Sequence, residues 1–250
     1  MTSRLSRIPL GALLAALVCA GGAQAAGLDP TPPVAPIPIP IPAPQVADWS
    51  GFHGGLSANY ARGHLDWEDN NGGFFAFAPG DDFDVEIERG AAGMQLGYSW
   101  QTSNNLVLGL ELSGMVLDLE HTADSPYFGS DEFSGRIRNP LALTGQVGLA
   151  RGRWQPYVEA GVASALVGIN HTDNVLNEEF DSEEQRTGYV AGVGLGYKIS
   201  DRFSVGMNYR HFDFGTMEHD GSSSPSNFNE SFDVDARMGV VSVYWNYYLN

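Results

Sequence analysis

The stretch GAAGMQLGYSW, residues 90–100, changes character at every second position. Ala92, Met94, Leu96, Tyr98 and Trp100 form an apolar set ending in two aromatics, while Gly93, Gln95, Gly97 and Ser99 form a small, polar one. Period-two alternation marks a β-strand with two unlike faces. In a water-soluble β-protein the apolar face would be the core. In a barrel that crosses a bilayer it would face the lipid. The two readings turn the molecule inside out.

The same alternation recurs along the chain. Phe52, Leu56, Ala58 and Tyr60 interleave with His53, Gly55, Ser57 and Asn59, and Leu106, Leu108, Leu110 and Leu112 with Gly109, Glu111 and Ser113. Similar segments begin near Leu141, Trp154, Tyr189 and Phe203, and the last runs through Val241, Val243, Trp245 and Tyr247 to Leu249. Eight strands result. Their connections alternate between short ones (QTSNN, RGR, SDR) and long, polar, acidic ones. Short turns at one end and long loops at the other characterise bacterial outer-membrane barrels, whose strands cross in about 9–11 residues.

The polar set settles the orientation. It holds Glu111, Glu159, Lys198 and Arg210, and the reading extends it to Arg136, Arg138 and Arg237. An eight-stranded barrel has an interior just wide enough to be filled by side chains, so these charges are expected to pair inside it or to line a narrow pore. The apolar set, with its terminal aromatics, suits a lipid-facing belt. The expected fold is an all-β, eight-stranded, antiparallel up-and-down transmembrane β-barrel over residues 48–250.

The two ends fit an exported chain. Arg4 and Arg7 precede the apolar run Leu10 to Ala20, and Ala23-Gln24-Ala25 obeys the small-residue cleavage rule, so residues 1–26 read as a signal peptide. Cys19, the single cysteine, lies inside it, and Val18 makes a poor lipobox. Residues 27–47 are proline-rich and read as a disordered or polyproline II segment on the periplasmic side. At about 3.1 Å per residue, the fifteen residues 30–44 would reach roughly 45 Å. A formal charge of −17 argues against nucleic-acid binding, which needs cations for the phosphates.

DWSGFHGGLSANYARG, GMQLGYSWQ, QPYVEAGVA and TGYVAGVGLGYKISDRFSVGMNYRHFDFG carry a resemblance. The chain resembles the small alphaproteobacterial outer-membrane proteins, grouped with opacity-type and OmpA-like eight-stranded barrels as a porin family, over about residues 47–250. The resemblance implies export, insertion by the barrel-assembly machinery, an outer-membrane location, and roles in envelope integrity or surface contact without catalysis. Such chains usually end on Phe, whereas this one ends YWNYYLN.

Chemistry is sparse. His121, His171 and His219 lie near Ser125, Ser182 and Ser222, but no deacylase-like His-x-Ser-Asn run accompanies them, so a lipid A-modifying enzyme is the least favoured reading. GVGLGY (192–197) lacks the helix of a phosphate loop, and DNNGG (69–73) lacks the remaining ligands of a calcium loop. No cofactor or resident metal is expected. The acidic loops are expected to meet lipopolysaccharide, divalent cations bridging to its phosphates, or a host surface. Phe74, Phe75 and Phe77, set among acids, are outer-loop contact candidates.

Overall fold

The computed structural model describes residues 46–70, 80, 82–124, 131–175, 177–227 and 229–249, with backbone alone for 82–85. Residues 1–26, read above as a signal peptide, the proline-rich stretch as far as residue 45, and Phe74, Phe75 and Phe77 lie outside the described residues. Every described element is a strand: β1 (Gly51–Asp69), β2 (Asp82–Gln101), β3 (Leu106–Val116), β4 (Asp118–Asp124), β5 (Asp131–Leu149), β6 (Trp154–Asp173), β7 (Glu178–Lys198), β8 (Phe203–Ser222) and β9 (Asn229–Tyr248).

All pairings are antiparallel, in the order β3-β2-β1-β9-β8-β7-β6-β5-β4. A further β3–β5 ladder closes the ring. β4 continues the line of β3 past Leu117 and also pairs with β5, so nine strands build eight staves. The lower end carries the tight turns at 102–105, 150–153 and 199–202. Asn105 (φ 63°) and Gly152 (φ 60°) take the left-handed conformation that such turns require.

The strands are far longer than a bilayer demands. β1 has 19 residues and β7 has 21, against the roughly 9–11 that cross the hydrocarbon layer. The acidic segments expected as long outer loops are therefore mostly strand. Asp66 and Glu68 belong to β1, Asp173 to β6, and Glu178, Glu179, Asp181, Glu183 and Glu184 to β7. Alternation continues in them with different chemistry: Leu65 and Trp67 turn in, while Asp66 and Glu68 turn out. From Ala61 to Asp69, nine residues at about 3.3 Å each carry β1 roughly 30 Å past Tyr60.

In this upper half the ring opens along two seams. The β2–β3 ladder ends at Ala92↔Val116, and no ladder joins β2 to β4 among the described residues. The β7–β8 ladder ends at Tyr189↔Asp213, with a lone bridge higher up at Glu179↔Ser224. β2, β1, β9 and β8 thus form one sheet, and β4, β5, β6 and β7 another. Aromatic pairs join their inner faces: Trp67 of β1 meets Phe133 of β5 with ring centroids 5.5 Å apart, and Phe232 of β9 meets Phe180 of β7 at 5.7 Å.

Candidate functional site

The lumen is filled in three layers. At the lower mouth the segment before β1 folds under the barrel. Ala47 N–H donates to the Gly152 carbonyl (2.8 Å) and Trp49 N–H to Gln101 Oε1 (2.9 Å). The Trp49 ring, 2 % exposed, packs with Val107, Ala150 and Tyr248. Lys198 Nζ sits 3.1 Å from the centroid of the Tyr248 ring, a cation–π contact, and donates to the Asp201 carbonyl (3.0 Å). Lys198 therefore belongs to the closure of the mouth, apart from the other interior charges.

Above it lies a buried ion cluster. Arg210 donates through Nε and Nη2 to Glu159 (2.9 and 3.0 Å), through Nη2 to Glu111 (2.6 Å) and through Nη1 to Ser113 Oγ (2.9 Å). Thr144 Oγ1, Gln146 Nε2 and Asn208 Nδ2 also donate to Glu159, and His53 Nε2 stands 3.7 Å from Glu111. All three charged residues are buried. Charges in this position hold only when each is paired and hydrogen-bonded, which five strands accomplish here together. Inward glycines make the space: a Cβ on Gly194 would strike the Tyr157 ring, and one on Gly206 the Tyr244 ring.

The upper layer is apolar. Ala61, Leu65 and Trp67 of β1, Ile137 and Phe133 of β5, Val167 and Ile169 of β6, and Phe232, Val234, Ala236, Met238 and Val240 of β9 all lie in one buried cluster. Nine of these twelve are fully buried at 0 %, and the most exposed, Phe133, reaches 3 %. An interior packed in this way leaves few voids as large as a water molecule. His171 is enclosed here between Phe133 and Phe232 (6.1 and 6.4 Å). Burial pushes its pKa down to about 3 against the opposing pull of Asp173.

The structure brings Glu111, Glu159 and Arg210 together and places the remaining predicted charges elsewhere. Arg136 and Arg138 were expected inside, as plain alternation from the outward Leu141 requires. A bulge between Arg138 and Leu141 shifts the phase, turns Ile137 inward and sets both arginines on the outer wall. There both pair with Glu183, and Arg136 also approaches Glu120 (4.0 Å). Arg237 shares the parity of the lipid-facing Val241 and Val243, and it too lies outside, bonded to Asp235 (2.9 Å). Sequence reasoning missed Trp49 and the apolar layer. The layer's signal was there, in large apolar residues at every second position between acids; Trp49, ahead of the first strand, had none.

Of the Ser–His neighbours, Ser125 lies outside the described residues, and Ser182 Oγ lies 2.8 Å from His219 Nδ1. His219 is fully buried and its Nε2 has no hydrogen-bond partner among the described residues, so no carboxylate orients the ring as a nucleophile's base would need.

Comparison with known proteins agrees with this geometry. Residues 11–237 match the family model described as outer membrane protein beta-barrel domain. The chain belongs to this family. Among relatives, it is 27 % identical over 187 residues to the 31 kDa outer-membrane immunogenic protein of Brucella melitensis, covering 67 % of this chain and 72 % of that one. It is 24 % identical over 200 residues to the 22 kDa outer membrane protein of Rhizobium leguminosarum, covering 78 % of each. Among solved structures, the outer membrane protein OprG of Pseudomonas aeruginosa superposes with a TM-score of 0.51 at 14 % identity, over 79 % of this chain and 95 % of that one.

This outer-membrane barrel carries its lipid-facing belt on the lower half. Phe52, Leu56, Met94, Leu96, Leu110, Val158, Val193, Met207 and Val243 are exposed there. Edge-to-face pairs such as Phe52–Tyr98 (4.7 Å) and Phe203–Tyr247 (5.1 Å) gird its lower rim. Tyr60 and Tyr189 mark the upper rim, each donating its hydroxyl to a carboxylate, Glu88 and Asp213 respectively.

Proposed function

We propose that this protein is a closed, non-catalytic surface barrel. The membrane half anchors it, and the upper half presents a charged β-structure to the outside, contributing to envelope integrity and to contact with lipopolysaccharide, divalent cations or a host surface. The observation that carries the reading is the apolar layer from Trp67 to Val240, which crosses the lumen above the ion cluster. A diffusion pore needs a continuous water path, and two obstacles oppose one: this layer and Trp49 at the lower mouth. Phe74, Phe75 and Phe77 remain contact candidates in this reading, and so do the outward positions of upper β7, which carry Glu179, Asp181 and Glu183. The Arg210 cluster acts as a structural clamp in it, fixing strand register through paired charges.

The test is conductance of the refolded protein in a planar bilayer, with insertion verified independently. A silent bilayer is expected. Steady openings that Glu111→Gln alters would overturn the reading and make the protein a pore.

A further inference from the structure

The β2–β3 ladder ends at Ala92↔Val116, and the chain passes through the buried Leu117 into β4, with which β2 forms no ladder. On the other side of β3, a bulge interrupts β5 between Arg138 and Leu141. Between these two interruptions the outer wall is hollowed into a trough of about 890 Å³. Leu56 of β1, Met94 and Leu96 of β2, Leu112 of β3 and Leu141 of β5 line it, and Gly114 stands among them without a side chain. Its margins stand clear of their neighbours: Met94 and Leu96 are each 65 % exposed, against 44 % and 47 % for Leu143 and Val147 on β5. Four neighbouring strands contribute, so at about 4.8 Å between strands the trough is roughly 14 Å wide.

The seam above it holds an unneutralised cation. Arg89 lies three residues up β2 from Ala92, about 10 Å at the rise of a strand. Alternation groups it with the inward Ile87, yet Arg89 is exposed, because no strand pairs with β2 on that side. The carboxylates nearby already have cations. Arg62 approaches Glu88 (3.8 Å), Arg136 approaches Glu120 (4.0 Å), and Asp118 stands opposite Arg138 in the β4–β5 ladder. Among the described residues Arg89 has no carboxylate partner.

A wide apolar trough beneath one unpaired guanidinium suits an amphiphile with several acyl chains and an anionic head. Arginine holds phosphate oxygens through charge-assisted hydrogen bonds. A phospholipid, with fewer chains, would leave part of the trough empty, whereas lipid A, the anchor of lipopolysaccharide, carries several chains and phosphates. We infer that this hollow is a lipopolysaccharide site, with acyl chains of lipid A lying against Gly114 and a phosphate on Arg89. The inference rests on the lipopolysaccharide contact proposed above, and places it at the foot of the β2–β4 seam rather than on the acidic wall.

The test uses the full chain refolded in detergent. Native mass spectrometry counts the lipids it retains from bisphosphorylated lipid A, from lipid A stripped of its phosphates and from phosphatidylglycerol. Bisphosphorylated lipid A is expected to bind at least about tenfold more tightly than either of the others. Gly114→Leu fills the trough, where a Cβ would stand 3.3 Å from a Leu141 methyl, and Arg89→Gln removes the cation. Each is expected to weaken binding by about tenfold or more. Arg151→Gln, the same loss of charge at an exposed lower turn, is expected to leave binding unchanged. Folding of each variant is verified by the heat-dependent shift in gel mobility. Failure of the unaltered protein to retain lipid A would overturn both this site and the proposed contact with lipopolysaccharide. Retention undiminished in folded Gly114→Leu and Arg89→Gln, or weakened equally in Arg151→Gln, would overturn the site alone. Equal retention of phosphatidylglycerol would overturn the glycolipid, and equal retention of dephosphorylated lipid A the role of Arg89.

Discussion

The two halves of this barrel are made of the same strands and obey opposite rules. Below Tyr60, outward residues are apolar and inward ones polar: Leu96 faces lipid and Gln95 the lumen. Above it, outward residues are charged and inward ones apolar as far as Trp67 and Phe232, beyond which carboxylates such as Asp69 and Glu230 turn in: Asp66 faces water and Trp67 the interior. The alternation persists, yet its chemistry reverses where the solvent changes from hydrocarbon to water. Architecture reverses with it. In lipid every backbone group must be paired, so the lower half is a closed ring; in water the upper half tolerates the two seams that split it into facing sheets. Residue polarity alone does not tell inside from outside. The solvent does.

The largest effect expected from breaking this contrast is at Arg210. Arg210→Leu leaves Glu111 and Glu159 buried without their cation and is expected to lower stability by about 3–5 kcal/mol, read from urea unfolding of the refolded protein in lipid. Adding Glu111→Gln and Glu159→Gln is expected to restore most of that loss. Phe232→Ala, in the upper layer, is expected to lose a similar or slightly smaller amount, about 3–4 kcal/mol. The two losses differ in place: hydrogen exchange is expected to rise across both upper sheets for Phe232→Ala while the β2–β3 ladder below Ala92 stays protected. Leu110→Arg on the lipid face is expected to cost about 2–4 kcal/mol, measured by the same unfolding assay, whereas an arginine at Asp66 is expected to cost little because that position faces water.

The smallest effect is a pH dependence confined to the upper half. His171 and His219 both have pKa values depressed by burial, His171 to about 3. The neutral imidazole is therefore the folded form. Its stabilisation is complete above the unfolded pKa near 6.5, and falls as pH drops toward about 3, by about 1.4 kcal/mol per unit for His171. Proteolysis of the upper strands at pH 7 and pH 5 reads this: cleavage there is expected to rise at pH 5, and His171→Phe is expected to flatten the difference.

Much of this was legible in the sequence. Alternation from Phe52 to Tyr60 and from Leu106 to Leu112 gave strands and their lipid-facing side, and Glu111, Glu159 and Arg210 fell on the polar face that the structure brings together. The acidic stretches were harder. Charges usually mark loops, and the apolar residues between them, Leu65, Phe180 and Phe232, look scattered until the outward positions are assigned to water. Arg136 and Arg138 were placed inside because a bulge leaves no trace in a two-residue period. Trp49 stands before any strand begins, and nothing in its neighbours signals that it seals the barrel. Phe74, Phe75 and Phe77 lie outside the described residues.

The central claim is that a dry apolar layer sits above a filled polar one, and a cysteine scan along β9 tests it most directly. Cys19 is the chain's single cysteine, so a background carrying Cys19→Ser is clean. Cysteines at positions 233, 235 and 237 are expected to react with a water-soluble thiol reagent, and those at 241, 243 and 245 with a lipid-soluble one alone. Those at 234, 236, 238 and 240 are expected to resist both in the folded protein. Modification of 234, 236 and 238 by the water-soluble reagent, at the rate seen for 237, would contradict the account and place water in the lumen.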